Sequence, residues 1–264
     1  MSRHNTQHEV RMDHDLLMGA YARGLYHAVG AARDDLAKPL IGIANSWSEF
    51  VPGHVHLRQV AEAVKEGVRA AGGWPLEFNT IAACDGICQG EGMHAILPTR
   101  EVIAASVELM ARAHSVRGLV CIASCDKIVP GMLLAAARLD LPTAFVTGGL
   151  MAEGEYGGRR LVTCDLKEAM GALRAGHIKR EEFAAIEAAA CPGPGICNMM
   201  GTASTMGCLV EAAGLSLSGN ATVAATSPDL QRLARRAGAR AVALVHQGLT
   251  FSGLLCENAL RNMI

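Results

Sequence analysis

From Pro39 onward, short apolar runs rich in β-branched residues alternate with longer stretches of helical periodicity, the pattern of βαβ units wound around a parallel sheet. The runs predict strands over 40–44, 77–82, 118–123 and 143–147, with helices over 55–71, 99–114 and 131–139 between them. Residues 149–164, rich in glycine and mixed charge, read as a surface excursion, and 165–190 as two Ala-rich helices joined near Gly176. A loop dense in turn residues follows at 191–197, and helical spacing resumes over 201–213 and 228–248. Residues 249–264 are apolar and helix-like to the last position, so the chain is expected to stop inside a larger fold or against another subunit. The expected class is α/β: one domain over 1–264, a doubly wound, mostly parallel sheet with flanking helices, preceded by a polar, His-rich and flexible stretch at 1–15.

Composition narrows the choice of partner. Half of the 264 residues are apolar, enough for a substantial core. Lys plus Arg number 24 against 25 Asp plus Glu, so no broad basic field exists to reward nucleic acid or an anionic membrane, and a small molecule is the expected ligand. Neither a signal-like apolar segment at the N-terminus nor a membrane-length apolar run is present, and a cytoplasmic location is expected. Nine cysteines, an odd number without a secretion signal, argue against a disulfide framework and leave metal or cluster ligation, catalysis or burial.

The candidate chemistry lies just past the predicted strand ends. These positions carry Asn45-Ser46, Cys84-Asp85-Gly86, Ser124-Cys125-Asp126-Lys127 and Gly148-Gly149, and ligands of open α/β sheets bind in the crevice outside the carboxyl ends of the strands. A lone cysteine is more often packing than chemistry, which is the reading given to Cys88, Cys121, Cys164, Cys208 and Cys256; Asp85 and Asp126 also fit helix N-caps. Caps do not explain Cys125 and Lys127. That triplet joins a soft thiolate suited to iron or zinc, a hard carboxylate suited to Mg²⁺, and an amine that needs a partner, a lowered pKa or covalent change to an anion. In the second loop, Cys191-Pro-Gly-Pro-Gly-Ile-Cys197, a thiolate sits on a rigid turn near a helix start, with a spacing unlike a CxxC pair and more compatible with a cluster held by distant cysteines.

Ser124 through Met132 (SCDKIVPGM), Cys84-Asp85-Gly86 followed by Gln89 through Met93 (QGEGM), and Cys191 through Met206 (CPGPGICNMMGTASTM) resemble the dihydroxy-acid dehydratase and phosphogluconate dehydratase family. Further matches are Asn45-Ser46-Trp47, Pro52 through Leu57, Leu97 through Glu101 and Val146 through Gly149, collinear over nearly the whole chain. The resemblance implies that Cys125 and Cys197 ligate an iron–sulfur cluster, that Asp85 and Asp126 bind Mg²⁺, and that Lys127 is carboxylated to become a further Mg²⁺ ligand. It implies loss of water from a 2,3-dihydroxy acid to give a 2-keto acid, with Asp126 and Lys127 at the reacting centre. The segments 52–57 and 97–101 look closest to the dihydroxy-acid branch of branched-chain amino-acid biosynthesis, the alternative being a sugar-acid dehydratase.

Three departures qualify what the resemblance implies. The [2Fe–2S] branch carries a Cys where this chain has Gly53, which favours [4Fe–4S] and leaves His54 and His56 as substitute ligands. Pro194 stands where many relatives have a middle Cys, and Asn198-Met199 replaces a small residue and Gly, so pocket shape and substrate are expected to differ. Full-length relatives continue into a C-terminal β-barrel domain that supplies another acidic Mg²⁺ ligand and a serine base, and this chain lacks it. The chain alone is therefore expected to be inactive, needing a homodimeric assembly or a second chain that supplies the missing domain. A non-catalytic fragment and a structural zinc module are the competing readings.

Overall fold

The computed structural model describes residues 17–264; the stretch expected to be flexible, 1–15, lies outside the described residues. Four parallel strands form the centre: β1 (Leu40–Asn45), β2 (Trp74–Asn79), β3 (Gly118–Ala123) and β4 (Thr143–Thr147), in spatial order β2-β1-β3-β4. β1 and β3 are buried along their whole length, as strands covered on both faces must be.

Alternation along the strands divides the core into two layers. Ile41, Ile43, Val120, Ile122, Ala144 and Val146 point to one face, where α2 (Leu57–Ala70) and the long α8 (Pro228–Gln247) cover them. Leu119, Cys121, Ala123 and Phe145 point to the other, under α3 (Met93–Ala113), α4 (Ile128–Leu139) and α7 (Thr202–Ala212). The doubly wound α/β expectation therefore holds. Helix α1 (Leu17–Ala28) closes one end, with Tyr26 edge-on to Trp74 at a ring separation of 5.0 Å. The excursion after β4 is a small lobe: a hairpin, β5 (Gly154–Tyr156) and β6 (Arg159–Leu161), packed with α5 (Thr163–Arg174) and α6 (Arg180–Ala189) around Leu161, Ala169, Ile186 and Ala190. Short helices α9 (Phe251–Leu254) and α10 (Glu257–Asn262) finish the chain.

Several boundaries differ from the sequence expectation: α4 begins at Ile128 rather than 131, ahead of Pro130, and the largest shifts fall on the two elements that contain Pro75 and Pro98. The second strand begins at Trp74 rather than 77 and ends at Asn79 rather than 82. Pro75 is accommodated because β2 is an edge strand, where a missing N–H leaves no partner strand unsatisfied. Helix α3 begins at Met93, not 99, running through Pro98, whose absent N–H removes one helical bond but does not end the helix. Among the described residues no helix is long and apolar enough to cross a membrane, and all nine cysteines are free thiols.

Candidate functional site

The strand order reverses direction between β1 and β3: the chain leaves β1 for β2 on one side and returns to place β3 on the other. Such a switch point opens a crevice at the carboxyl ends of the strands. His54 spans it. Fully buried, its Nδ1 lies 2.7 Å from the Ser46 carbonyl at the end of β1 and its Nε2 3.0 Å from the Ser124 carbonyl at the end of β3. A neutral imidazole donates to one of these and an imidazolium would donate to both, yet burial outweighs the two carbonyls and pushes the His54 pKa down to about 4. His56 uses Nε2 against the Gly148 carbonyl at 2.6 Å. Both rings serve to hold the rim together, and His54 has no ring nitrogen left with which to ligate a metal.

Past β3, Cys125 adopts a left-handed backbone (φ 65°), sparsely populated by residues other than glycine and found where surrounding structure enforces it. The next two residues lead directly into α4, so Cys125, Asp126 and Lys127 gather at the positive end of a helix. Lys127 Nζ donates to Asp85 Oδ2 at 3.0 Å and also to Asp126. Partial burial disfavours the ammonium, but its hydrogen bonds to Asp126 and Asp85 outweigh that in sum and hold the Lys127 pKa above its ordinary value. The other oxygen of Asp85, Oδ1, is buried without a hydrogen-bond partner. Three residues expected to surround Mg²⁺ are thus in mutual contact, with a carboxylate oxygen unspent.

Cys197 arrives from the far side by backbone pairing. Gly195 N–H donates to the Pro52 carbonyl at 3.0 Å, Ile196 N–H to Gly149 at 3.0 Å, and Met151 N–H to Ile196 at 3.0 Å. The loop is thereby stitched to the continuation of β4. Gly195 is needed there, because its φ is 131° and a Cβ would collide with the backbone of Met151. Asn198 clamps the loop to the lobe: its Oδ1 accepts from the Thr163 N–H and hydroxyl at 2.7 Å each, and its Nδ2 donates to the Ala152 carbonyl at 2.9 Å. The departure at position 198 is thus a structural staple.

Burial pushes the Cys125 thiol well up, and Cys84, Cys197, Asp85 and Asp126 add to the shift through their negative charge. Burial likewise raises Cys197, with Cys84 contributing next. The two cysteines expected to hold a cluster therefore share one rim with the acidic and lysine cluster. Position 53 lies against them: a Cβ on Gly53 would stand 2.9 Å from Cys125 Sγ and 3.5 Å from the Gly195 carbonyl. Among the described residues no three His, Cys, Asp or Glu side chains converge tightly enough for one bare ion. Cys84, beside Asp85, is half-buried and packs on the apolar cluster that contains Cys125 and Ile196.

Comparison with known proteins agrees with this geometry. The chain is 52% identical over 244 residues to the dihydroxy-acid dehydratase of Caldanaerobacter subterraneus subsp. tengcongensis, covering 91% of this chain and 43% of that relative. It is 49% identical to the dihydroxy-acid dehydratase of Methanothermobacter thermautotrophicus, covering 92% of this chain and 44% of the relative, and 48% identical, with the same coverage, to that of Pyrococcus abyssi. The chain spans less than half the length of these curated relatives. Residues 38–264 match the dihydroxy-acid/6-phosphogluconate dehydratase N-terminal family, and the chain belongs to that family.

Proposed function

We propose that this chain is the cofactor-holding part of an iron–sulfur and Mg²⁺-dependent hydro-lyase that converts a 2,3-dihydroxy acid into a 2-keto acid, in the dihydroxy-acid dehydratase line of branched-chain amino-acid synthesis. One observation carries the reading: the Lys127 ammonium lies between the carboxylates of Asp85 and Asp126, beside the buried Cys125. An ammonium there sets one positive charge against two negative ones. Carboxylation of Nζ would exchange it for an anion, and three anionic oxygen donors around one point suit a hard divalent cation. Carbon dioxide reacts only with the free amine, and both carboxylates oppose loss of the proton, so modification is expected to accompany displacement of the ammonium by the cation.

Cys125 and Cys197 are the proposed cluster ligands, with [4Fe–4S] favoured over [2Fe–2S] because position 53 offers no thiol. When bound, Mg²⁺ would neutralise the substrate's carboxylate and 2-hydroxyl while an open iron polarises the departing 3-hydroxyl. The protein's own share is to orient and to exclude alternatives. Asp85 and Asp126 would hold the cation that the substrate's carboxylate meets, and His54 holds the walls of the crevice at a set separation. The proton on C2 and the hydroxyl on C3 leave as water, and the resulting enol becomes the ketone. A base for that proton belongs, in this reading, to the further length found in the relatives. The nine free thiols and an anionic substrate fit the cytoplasm.

The test is turnover. The cluster-loaded 264-residue chain is expected to be inactive alone, and to dehydrate 2,3-dihydroxyisovalerate when a relative's C-terminal half is supplied. Lys127→Ala should lower that rate by about 10²–10⁴-fold. Preference for an aldonate moves the protein to the sugar-acid branch; an assembled, loaded complex inert to both contradicts the proposal.

A further inference from the structure

We propose that Asn198 is a positioning residue for Cys197, pinning the cysteine loop to the lobe that follows β4 so that the thiol stands at the rim. The inference rests on the cluster reading above and adds to it the device that fixes one ligand in place. Asn198 is the residue next to Cys197, and its amide is saturated. Oδ1 accepts from the Thr163 N–H and from the Thr163 hydroxyl, both at 2.7 Å, while Nδ2 donates to the carbonyls of Ala152 at 2.9 Å and Ala190 at 3.4 Å. A primary amide has two acceptor lone pairs and two N–H donors, so nothing is left over. Its orientation is settled by its partners. A backbone N–H can only donate and a carbonyl can only accept, so a flipped amide would lose its contacts with Thr163 N–H, Ala152 and Ala190.

Each partner comes from a different segment, and each bears on the cysteine loop. Ala190 immediately precedes Cys191, so its bond to Asn198 closes the 191–197 loop on itself. Ala152 follows Met151, whose N–H pairs with the Ile196 carbonyl. Thr163 is the first residue of α5, and its N–H belongs to the opening turn, where the helix supplies no carbonyl. Asn198 thus caps a helix of the lobe from outside it. The next residue repeats the attachment: the Cys164 thiol meets the Met199 thioether. The Met199 carbonyl in turn accepts from the Gly201 N–H and the Ser204 hydroxyl, both at 2.9 Å, at the start of α7. Cys197 is therefore gripped by backbone pairing on its N-terminal side and by side-chain anchors on its C-terminal side. The loop's own residues cannot replace those anchors, since Pro192 and Pro194 have no N–H to pair and Gly193 and Gly195 carry no side chain.

The full 264-residue chain, first metal-free and then loaded anaerobically with ferrous iron and sulfide, provides the test. In the metal-free chain, Asn198→Ala should raise iodoacetamide labelling of Cys197, read by mass spectrometry, on the order of 10-fold, with labelling of the buried Cys125 unchanged. In the loaded chain, the same variant should lose iron to a chelator on the order of 10-fold faster than the parent and shift the visible charge-transfer bands. Thr163→Val, which removes the hydroxyl from the clamp, should move both readouts the same way, while Thr163→Ser, which keeps it, should match the parent. Labelling that rises equally at Cys125 and Cys197 would mean general loosening and overturns the inference. So does an Asn198→Ala protein with the parent's Cys197 labelling and iron retention; either result leaves the cluster reading standing. A parent chain that takes up no iron overturns both.

Discussion

His54 shows how much one buried side chain settles at this rim. Its two carbonyl contacts join the ends of β1 and β3, and the cost of charging it in that position sets a pH dependence. The folded pKa is depressed to about 4, against about 6.5 for an unhindered histidine, so between these values the unfolded chain binds a proton that the folded chain refuses. Stability contributed by the neutral ring is fully present above pH 6.5 and is lost as pH falls toward 4, by up to about 3 kcal/mol. Urea midpoints at pH 7 and pH 4.5 should reveal the loss in the parent and a flatter dependence in His54→Asn. An unchanged slope in the variant would show that other groups set it. Of the residues in this crevice, Cys125, Asp126, Lys127 and Asp85 stood out in the sequence because reactive types follow strand ends, and Cys197 because it sits on a rigid turn of glycine and proline. His54 stood out only as a candidate ligand; its bridge between the Ser46 and Ser124 carbonyls depends on what stands across the gap, which spacing along the chain does not encode.

At the scale of elements, hydrophobic alternation located the four strands, and helical periodicity located the helices around them. It failed where proline was taken as punctuation. Pro75 on an edge strand and Pro98 within α3 are both tolerated by their surroundings, and only sheet order and packing reveal that. The shift matters for the site, because ending β2 at Asn79 gives residues 80–84 to the loop that delivers Asp85. Packing of α2 on α8 was equally invisible in one dimension. Gly67 and Gly238 face each other's helix so closely that a Cβ on either would strike the carbonyl of Arg235 or of Val64. Gly238→Ala is expected to cost roughly 1–3 kcal/mol through overpacking. Gly171→Ala, in open space on α5, should stabilise by about 0.5–1 kcal/mol. Denaturant melts of the two variants check the contrast; equal effects would mean that α2 and α8 are not in backbone contact.

For the whole molecule, two covered sheet faces and a lobe bury the core, but the rim beside the crevice stays apolar and open. Ile81, Ile87, Met93, Leu97 and Val102 are all exposed on the β2–α3 side. Exposed apolar patches of this kind mark surfaces that meet something, and in the proposed reading the further length of the dehydratase, or a second copy, covers them. The central claim does not depend on that cover. It is that two cysteines far apart in sequence grip one inorganic core beside a carboxylate and lysine pocket. Iron and acid-labile sulfide per chain, measured on anaerobically prepared protein, test it most directly. The account predicts iron and sulfide in comparable amounts in the parent, with both largely lost in Cys125→Ser and in Cys197→Ser. A colourless parent carrying zinc or no metal, or variants that keep the parent's iron, would contradict it.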